Sequence, residues 1–223
     1  MRVRWILATL VVMSAGFWLI RSVDLDVVVA LAAAAALLVV GRRSGLTWAQ
    51  IGFSPATWRR GLLWALAAFV VVVVTYAVLL TTPLDVLLDD DRYDEGWRQA
   101  WLSALVVIPL GTVLWEEIGF RGVLWAQLRE RWSTQVATVV SSLLFGVWHA
   151  LPALRFADAN QAAGTVADAQ TATIGTVVVT IVATAVGGAI LCEVRRRSDS
   201  LLAPIGLHWA VNGVGVIAVA IAG

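Results

Sequence analysis

Two adjacent carboxylates and an arginine lie inside an otherwise apolar stretch of the chain, in the segment VLWEEIGFRGVL. A charged side chain within a bilayer costs about 2.5–3.5 kcal/mol on insertion scales, so an intramembrane acid suggests a function by default. Glu117 and Arg121 are four residues apart with the acid first, which places them on one helical face in the orientation that favours an ion pair. Glu116 points about 100° away from Glu117 on a regular helix. We therefore expect Glu117 and Arg121 to brace the helix and Glu116 to face a cavity and carry chemistry.

The two histidines of the sequence also lie in apolar stretches. His149 follows Phe145 by one helical turn, and His208 precedes Asn212 by one turn, so each pair shares a helical face. A carboxylate, two imidazoles and an amide in a low-dielectric cavity could activate water and stabilise an oxyanion. Glu116, His149 and His208 also match the His₂Glu ligand set of catalytic zinc sites. Either chemistry requires the three helices that carry these residues to face one interior.

These helices are predicted to be membrane helices. Of the 223 residues, 60% are hydrophobic and 14% are charged, and the mean hydropathy is +0.85. Such a composition leaves too little polar surface for a soluble globular protein. Most of the seven apolar runs are close to the ~20 residues that cross a bilayer. The runs cover residues 5–20, 25–41, 61–82, 101–128, 134–151, 172–192 and 200–222. We predict an all-α, polytopic membrane protein with about seven transmembrane helices, an intramembrane polar site and a single membrane domain over residues 1–223.

The charged residues segregate along the chain and predict its orientation. Arginines gather at alternate ends of the predicted spans, and acidic residues gather at the other ends. The positive-inside rule then places the N-terminus in the cytoplasm and the C-terminus outside, which an odd number of spans requires. We expect the first apolar run to be retained as a membrane helix rather than cleaved as a signal peptide.

Tryptophans mark two further features of the sequence. The loop 42–60 carries tryptophans between arginine pairs, and it is either a segment in the cytoplasmic interface or an ordinary connecting loop. Trp115, Trp148 and Trp209 each adjoin a candidate site residue. These three side chains either form a wall of the site or only pack.

Three motifs, in this order on successive predicted helices, resemble those of the CPBP family of intramembrane proteases. That family includes the type II CAAX prenyl endopeptidases and the bacterial proteins of bacteriocin self-immunity, also called the Abi family. The resemblance extends to FRGVL after the acidic pair and to SLLAPIGLHWAVN, and it covers about residues 101–215, which we interpret as a CPBP-like catalytic core. The motifs are Glu116-Glu117-x-x-x-Arg121, Phe145-x-x-x-His149 and His208-x-x-x-Asn212.

The resemblance implies an intramembrane endopeptidase that hydrolyses peptide bonds at or within the membrane. It implies that Glu116 and His149 activate a water while His208 and Asn212 stabilise the tetrahedral oxyanion. In a metal-dependent alternative, Glu116, His149 and His208 bind zinc, and in the metal-free alternative Glu116 is a general base. The supporting residues are Glu117, Arg121 and Phe145.

Two hypotheses of other classes compete with proteolysis. The immunity proteins in the resembling family motivate a non-catalytic immunity or scaffold protein that binds a peptide or a membrane partner. A small transporter that uses intramembrane carboxylates as proton carriers would leave the pairing of His208 with Asn212 unexplained. For the protease we expect a peptide or membrane-protein substrate, the lipid bilayer as the other partner and no nucleic acid. We expect the protein to lie in the cytoplasmic membrane of a prokaryote.

Overall fold

The computed structural model describes most of the chain as long helices. Within the described residues there are seven long helices, one short α-helix, one short 3₁₀ helix (Pro55–Thr57) and no strand. The described residues are 3–20, 26–82, 96–150, 154 and 169–222, and for 169–173 the description covers the backbone only. The helices are α1 (Val3–Ile20), α2 (Asp26–Arg43), the short α3 (Trp48–Ile51), α4 (Trp58–Leu79), α5 (Trp97–Arg129), α6 (Thr134–Trp148), α7 (Ala169–Ser198) and α8 (Leu202–Ala222).

The predicted all-α, polytopic membrane fold is confirmed. All seven predicted runs form helices, and five helices of the described part are long and apolar enough to cross a membrane. These five are α1, α4, α5, α7 and α8. The remaining two are shorter or more charged: α6 has 15 residues, and the 18 residues of α2 include an aspartate and two arginines. By length, hydropathy and charge, five of these seven helices qualify as candidate membrane spans.

Helix α5 is the central element of the structure. All residues from Ile118 to Leu128 are buried, which places the second half of α5 inside the bundle. Two π-helical stretches, Ser103–Val113 and Ile118–Leu124, flank a four-residue α-helical segment, Leu114–Glu117. Long π-helical stretches are rare, and π-bulges are frequent at functional sites. The two acidic residues thus lie on a short α-helical segment between wider helical turns.

Close helix packing brings α8 against its neighbour α4. A Cβ atom built on Gly206 of α8 would lie 2.4 Å from Cβ of Ala65 in α4, so only a glycine permits this approach. The opposite face of α8 carries His208 towards α5, since the His208 side chain is buried and contacts Glu117. Small residues on one face of α8 therefore help to fix the polar residues on the other.

The loop between α2 and α4 is ordered. Thr47 and Gln50 form a capping box at the start of α3, and Gly52 ends the helix with a φ of 103°. The guanidinium of Arg195 in α7 donates to the Gln50 carbonyl at 3.0 Å. Trp48 remains about half exposed, at 47%. The loop thus ties α2 and α4 to the end of α7, and its place in the membrane interface stays a prediction.

The predicted orientation also stays a prediction. Asp24 and the acidic residues between 85 and 95 that helped to define it lie outside the described residues, as do Asp158 and Asp168. The arginines Arg42 and Arg43 of α2 and Arg195 to Arg197 of α7 are described, and they lie in the last turns of these helices, where the sequence predicted the ends of two spans.

Candidate active site

A buried carboxylate, Glu117, connects two helices at the centre of the bundle. Its Oε1 atom accepts a hydrogen bond from Nη1 of Arg121 at 2.8 Å, and both side chains are fully buried. The ion pair expected from the spacing of Glu117 and Arg121 is therefore present. The same Oε1 atom lies 2.8 Å from Nδ1 of His208 in α8. Glu117 thus does more than brace its own helix, because it also holds a histidine of a different helix.

The contact with Glu117 defines which nitrogen of His208 is free. A carboxylate paired with arginine only accepts hydrogen bonds, so the Nδ1 atom of His208 must carry the proton. The Nε2 atom then accepts a hydrogen bond when the ring is neutral and donates one when the ring is an imidazolium. His208 is buried, with 8% exposure. Its available nitrogen is therefore Nε2.

The neighbouring acid, Glu116, has a different environment. Its side chain is buried, with 5% of its surface exposed. Oε1 accepts a hydrogen bond from the indole Nε1 of Trp148 at 3.2 Å. Oε2 is buried and has no hydrogen-bond partner in the described part of the chain, and the same is true of Oε2 of Glu117. Buried polar atoms are paired in the great majority of cases, so an unpaired carboxylate oxygen requires a reason such as a catalytic role.

His149 lies at the C-terminal end of α6 and is half-buried. Its Nδ1 atom is 2.8 Å from the carbonyl oxygen of Phe145. Because a carbonyl oxygen only accepts, Nδ1 carries the proton, and Nε2 of the neutral ring is an acceptor. This backbone contact fixes the ring without involving any other charged group.

The ring of Phe145 lies between the two histidines. Its centroid is 4.5 Å from the ring of His149 and 5.9 Å from that of His208, both in edge-on arrangements. The guanidinium carbon of Arg121 lies 3.9 Å from the same centroid, in a cation–π contact. A Cβ atom built on Gly188 would approach Arg121 and Phe145 to 3.2 Å each. Phe145 therefore packs against both imidazoles, and its supporting role stays a prediction.

Asn212 is less closely integrated than the other candidates. It is half-buried on α8, one turn after His208. Its side chain forms no hydrogen bond to any residue that the structure describes. Direct contacts thus join Glu117 to Arg121 and His208, and Phe145 packs against Arg121 and both histidines. Glu116 is bonded to Trp148, and Asn212 is placed only by its helix.

The predicted zinc ligands do not form a metal site as they are positioned. Among residues 3–20, 26–82, 96–150, 154 and 169–222, no three His, Cys, Asp or Glu side chains are grouped so that they could hold a metal ion. His208 directs Nδ1 to Glu117, and His149 directs Nδ1 to a backbone carbonyl. Metal-ligating histidines usually make such Nδ1 contacts, which leave both Nε2 atoms available, so these bonds do not argue against the predicted ligand set. Zinc binding remains a sequence-based prediction, and no step below depends on it.

A family comparison decides the class of this protein. Residues 98–214 match the model of the family described as type II CAAX prenyl endopeptidase Rce1-like. The chain belongs to this family. The match covers more than half of the chain and includes all three motifs, from the start of α5 to the middle of α8. No curated protein and no solved structure matches the chain significantly.

Membership of the Rce1-like family confirms the predicted resemblance to the CPBP family of intramembrane proteases. The family and the apolar helices together identify an integral membrane protein of the CAAX-protease class. A link to bacteriocin immunity or to the Abi proteins in particular stays a prediction.

One residue of the site was not predicted as such. The sequence placed Trp148 beside His149 but did not predict its hydrogen bond to Glu116, 32 residues earlier. The only signal was adjacency to a candidate residue, and the same signal applied to Trp115 and Trp209. Trp115 packs against Trp148, and Trp209 donates to the carbonyl of Ala104 at 2.7 Å.

Proposed function

We propose that this Rce1-like protein is an active endopeptidase that cleaves a peptide or a membrane-protein segment at or within the bilayer. The observation that carries the proposal is the environment of Glu116. Its Oε2 atom is buried and unpaired among the described residues, as is Oε2 of Glu117. Oε1 of Glu117, however, binds the cation Arg121 and His208, whereas Oε1 of Glu116 binds only a neutral indole. Of the two adjacent acids, only Glu116 thus has no cationic partner among the described residues, and its carboxylate is the one that we propose to accept a proton.

In the proposed first step, Glu116 and His149 activate a water. Oε2 of Glu116 accepts a proton from the water, and the oxygen attacks the carbonyl carbon of the scissile peptide bond. The Nε2 atom of His149 is the unprotonated nitrogen of the neutral ring, because Nδ1–H is directed to Phe145. It serves as the second acceptor that orients the water.

His208 and Asn212 stabilise the tetrahedral intermediate in this proposal. With Nδ1–H bound to Glu117, His208 donates to the oxyanion from Nε2 as an imidazolium, and the amide of Asn212 donates from the same helical face. When the intermediate collapses, the C–N bond breaks and Glu116 returns its proton to the leaving amine. The products are a new carboxyl terminus and a new amino terminus, and one water has been consumed.

The decisive experiment replaces Glu116 by glutamine, which keeps the shape and removes the basic oxygen. New peptide N-termini are compared by mass spectrometry in membranes of host cells that express the wild type or the Glu116→Gln variant at matched levels. Loss of a general base lowers rates by about 10²–10⁴-fold, so termini produced by the wild type should disappear.

Glu130→Gln is the matched control, because Glu130 is exposed at the end of α5 and accepts a hydrogen bond from Gln50 that an amide can also accept. Termini that persist with Glu116→Gln would refute the catalytic role of this residue. If no termini differ while a cellular phenotype survives the substitution, the non-catalytic immunity or scaffold function replaces the proposal.

The place of the reaction is proposed together with its chemistry. We place the protein in the cytoplasmic membrane of a prokaryote with its N-terminus in the cytoplasm, on the basis of the arginine distribution. Cysteine labelling of Ser44 and Gly96 variants from either side of the membrane tests this orientation, because these residues lie at opposite ends of the predicted spans.

A further inference from the structure

The carboxylate of Glu116 is held by a neutral donor from another helix. Nε1 of Trp148, at the end of α6, donates to Oε1 of Glu116 in α5 at 3.2 Å. Trp148 occupies a variable position of the second motif, Phe145-x-x-x-His149, and is not one of the residues that the motif specifies. The indole binds one carboxylate oxygen and leaves the other, Oε2, without a partner in the described residues.

Three aromatic rings from two helices surround the indole of Trp148. Its ring centroid is 4.6 Å from that of Phe17, 5.4 Å from Trp115 and 5.6 Å from Phe120. The interplanar angles of 64°, 61° and 81° are in the edge-on range that aromatic pairs favour. Phe17 belongs to α1 and lies outside residues 98–214, so a helix beyond the family match contributes to this packing.

A fixed donor is needed because a glutamate carboxylate is otherwise free to turn. The terminal torsion of glutamate has a broad, roughly two-fold distribution. A hydrogen bond to Oε1 from an indole that is packed against three aromatic rings favours one orientation of the carboxylate and thereby sets where Oε2 points. The indole is uncharged, unlike the guanidinium that binds Glu117, so it orients Glu116 without neutralising it.

We propose that Trp148 is a positioning residue that orients Glu116, so that Oε2 is directed at the water it activates. This inference rests on the proposed function of Glu116. It predicts a role for Trp148 in the rate of the chemical step rather than in substrate binding.

Trp148→Phe removes the indole N–H and keeps an aromatic ring. Trp125→Phe is the matched control, because Trp125 is fully buried and donates its own N–H to Thr138 at 3.1 Å. Both variants lose one indole hydrogen bond and a similar volume, but only one loses it at Glu116. The substrate is a synthetic peptide that spans a cleavage site dependent on Glu116, as identified by the comparison of termini.

We expect Trp148→Phe to lower kcat by about 10–100-fold, as the loss of a hydrogen bond to a charged group predicts. KM should remain within about two-fold, because the indole does not act on binding. The control should stay within about three-fold of the wild type in both parameters. A kcat for Trp148→Phe within the range of the control would overturn the inference.

A second measurement detects the contact without catalysis. The 12 tryptophans are labelled as 5-fluorotryptophan, and ¹⁹F NMR spectra are recorded in detergent. The Trp148 resonance is assigned as the one that is missing from the spectrum of Trp148→Phe. If Trp148→Phe does not fold, Trp148→Tyr is used for the assignment. The Trp148 resonance should shift in Glu116→Gln and stay in place in Glu130→Gln.

The outcomes separate this inference from the proposed function. A Trp148 resonance that is unmoved in Glu116→Gln shows that the hydrogen bond is absent and refutes the inference alone. Cleavage that survives Glu116→Gln refutes the proposed function and the inference with it. A shifted resonance together with a selective loss of kcat supports both.

Discussion

The buried pair of Glu117 and Arg121 leads to a prediction about stability that can be worked from the structure. Both side chains are 0% exposed, and Nη1 of Arg121 is 2.8 Å from Oε1 of Glu117. Substituting Glu117 by glutamine leaves the arginine charge buried without an anionic partner. Breaking a buried pair in this way costs about 3–5 kcal/mol, because one ion then remains uncompensated.

Removing both charges should reverse most of this loss. Replacement of a buried ion pair by uncharged residues of similar volume is often neutral or stabilising by about 1–4 kcal/mol. We therefore expect the Glu117→Gln/Arg121→Met double variant to be more stable than either single variant. Met keeps much of the length of the arginine side chain, and the glutamine carbonyl still accepts a hydrogen bond from His208.

Thermal unfolding in one detergent, followed by circular dichroism, measures these differences. In a protein of this size, 1 kcal/mol corresponds to roughly 2–4 °C, so each single variant should lower the Tm by about 6–20 °C. A Tm within 2 °C of the wild type for Glu117→Gln, or a double variant no more stable than the weaker single variant, would refute the reasoning. Peptide cleavage adds a separate readout, since the double variant should fold and still lack the carboxylate that holds His208.

Two further predictions concern the oxyanion donor and the packing around the site. Asn212→Ala should lower kcat by about 10²–10³-fold, as expected for loss of one oxyanion donor, with an unchanged circular dichroism spectrum; a kcat within three-fold of the wild type would exclude this role. Gly188→Ala should destabilise the fold by about 1–3 kcal/mol, because its Cβ would lie 3.2 Å from both Arg121 and Phe145. The control in the same melting experiment is the adjacent Gly187→Ala. A Cβ atom at Gly187 would have no atom of the described residues within 4 Å, so the higher helix propensity of alanine should raise the free energy of unfolding by up to ~1 kcal/mol. Equal Tm values for the two alanine variants would contradict the packing argument.

Local sequence patterns predicted the helices and one contact of the site. Apolar runs of nearly 20 residues can satisfy their backbone groups in a bilayer only as helices, so the fold class follows from composition. The ion pair of Glu117 with Arg121 follows from a spacing of four residues, because both residues lie on the same helix. These inferences need no knowledge of how the helices pack.

The contacts between helices could not be predicted from this one sequence. The bonds from His208 to Glu117 and from Trp148 to Glu116 span 91 and 32 residues, and they depend on the distances and rotations of α5, α6 and α8. The π-helical stretches of α5 were also not predicted. Pro109 in the first stretch lacks a backbone N–H and indicates an irregular turn, but its position does not specify a π-helix.

The adjacency of the two acids explains how one short segment provides two different carboxylates. Glu116 and Glu117 lie on the α-helical segment Leu114–Glu117, where successive side chains point about 100° apart. Glu117 therefore faces the cation on its own helix and the histidine of α8, while Glu116 faces the neutral indole of α6. Exchanging the two environments would require a rotation of α5 that also removes Arg121 from its place against Phe145. The packing that buries the ion pair is thus the same packing that leaves one oxygen of Glu116 free to take a proton.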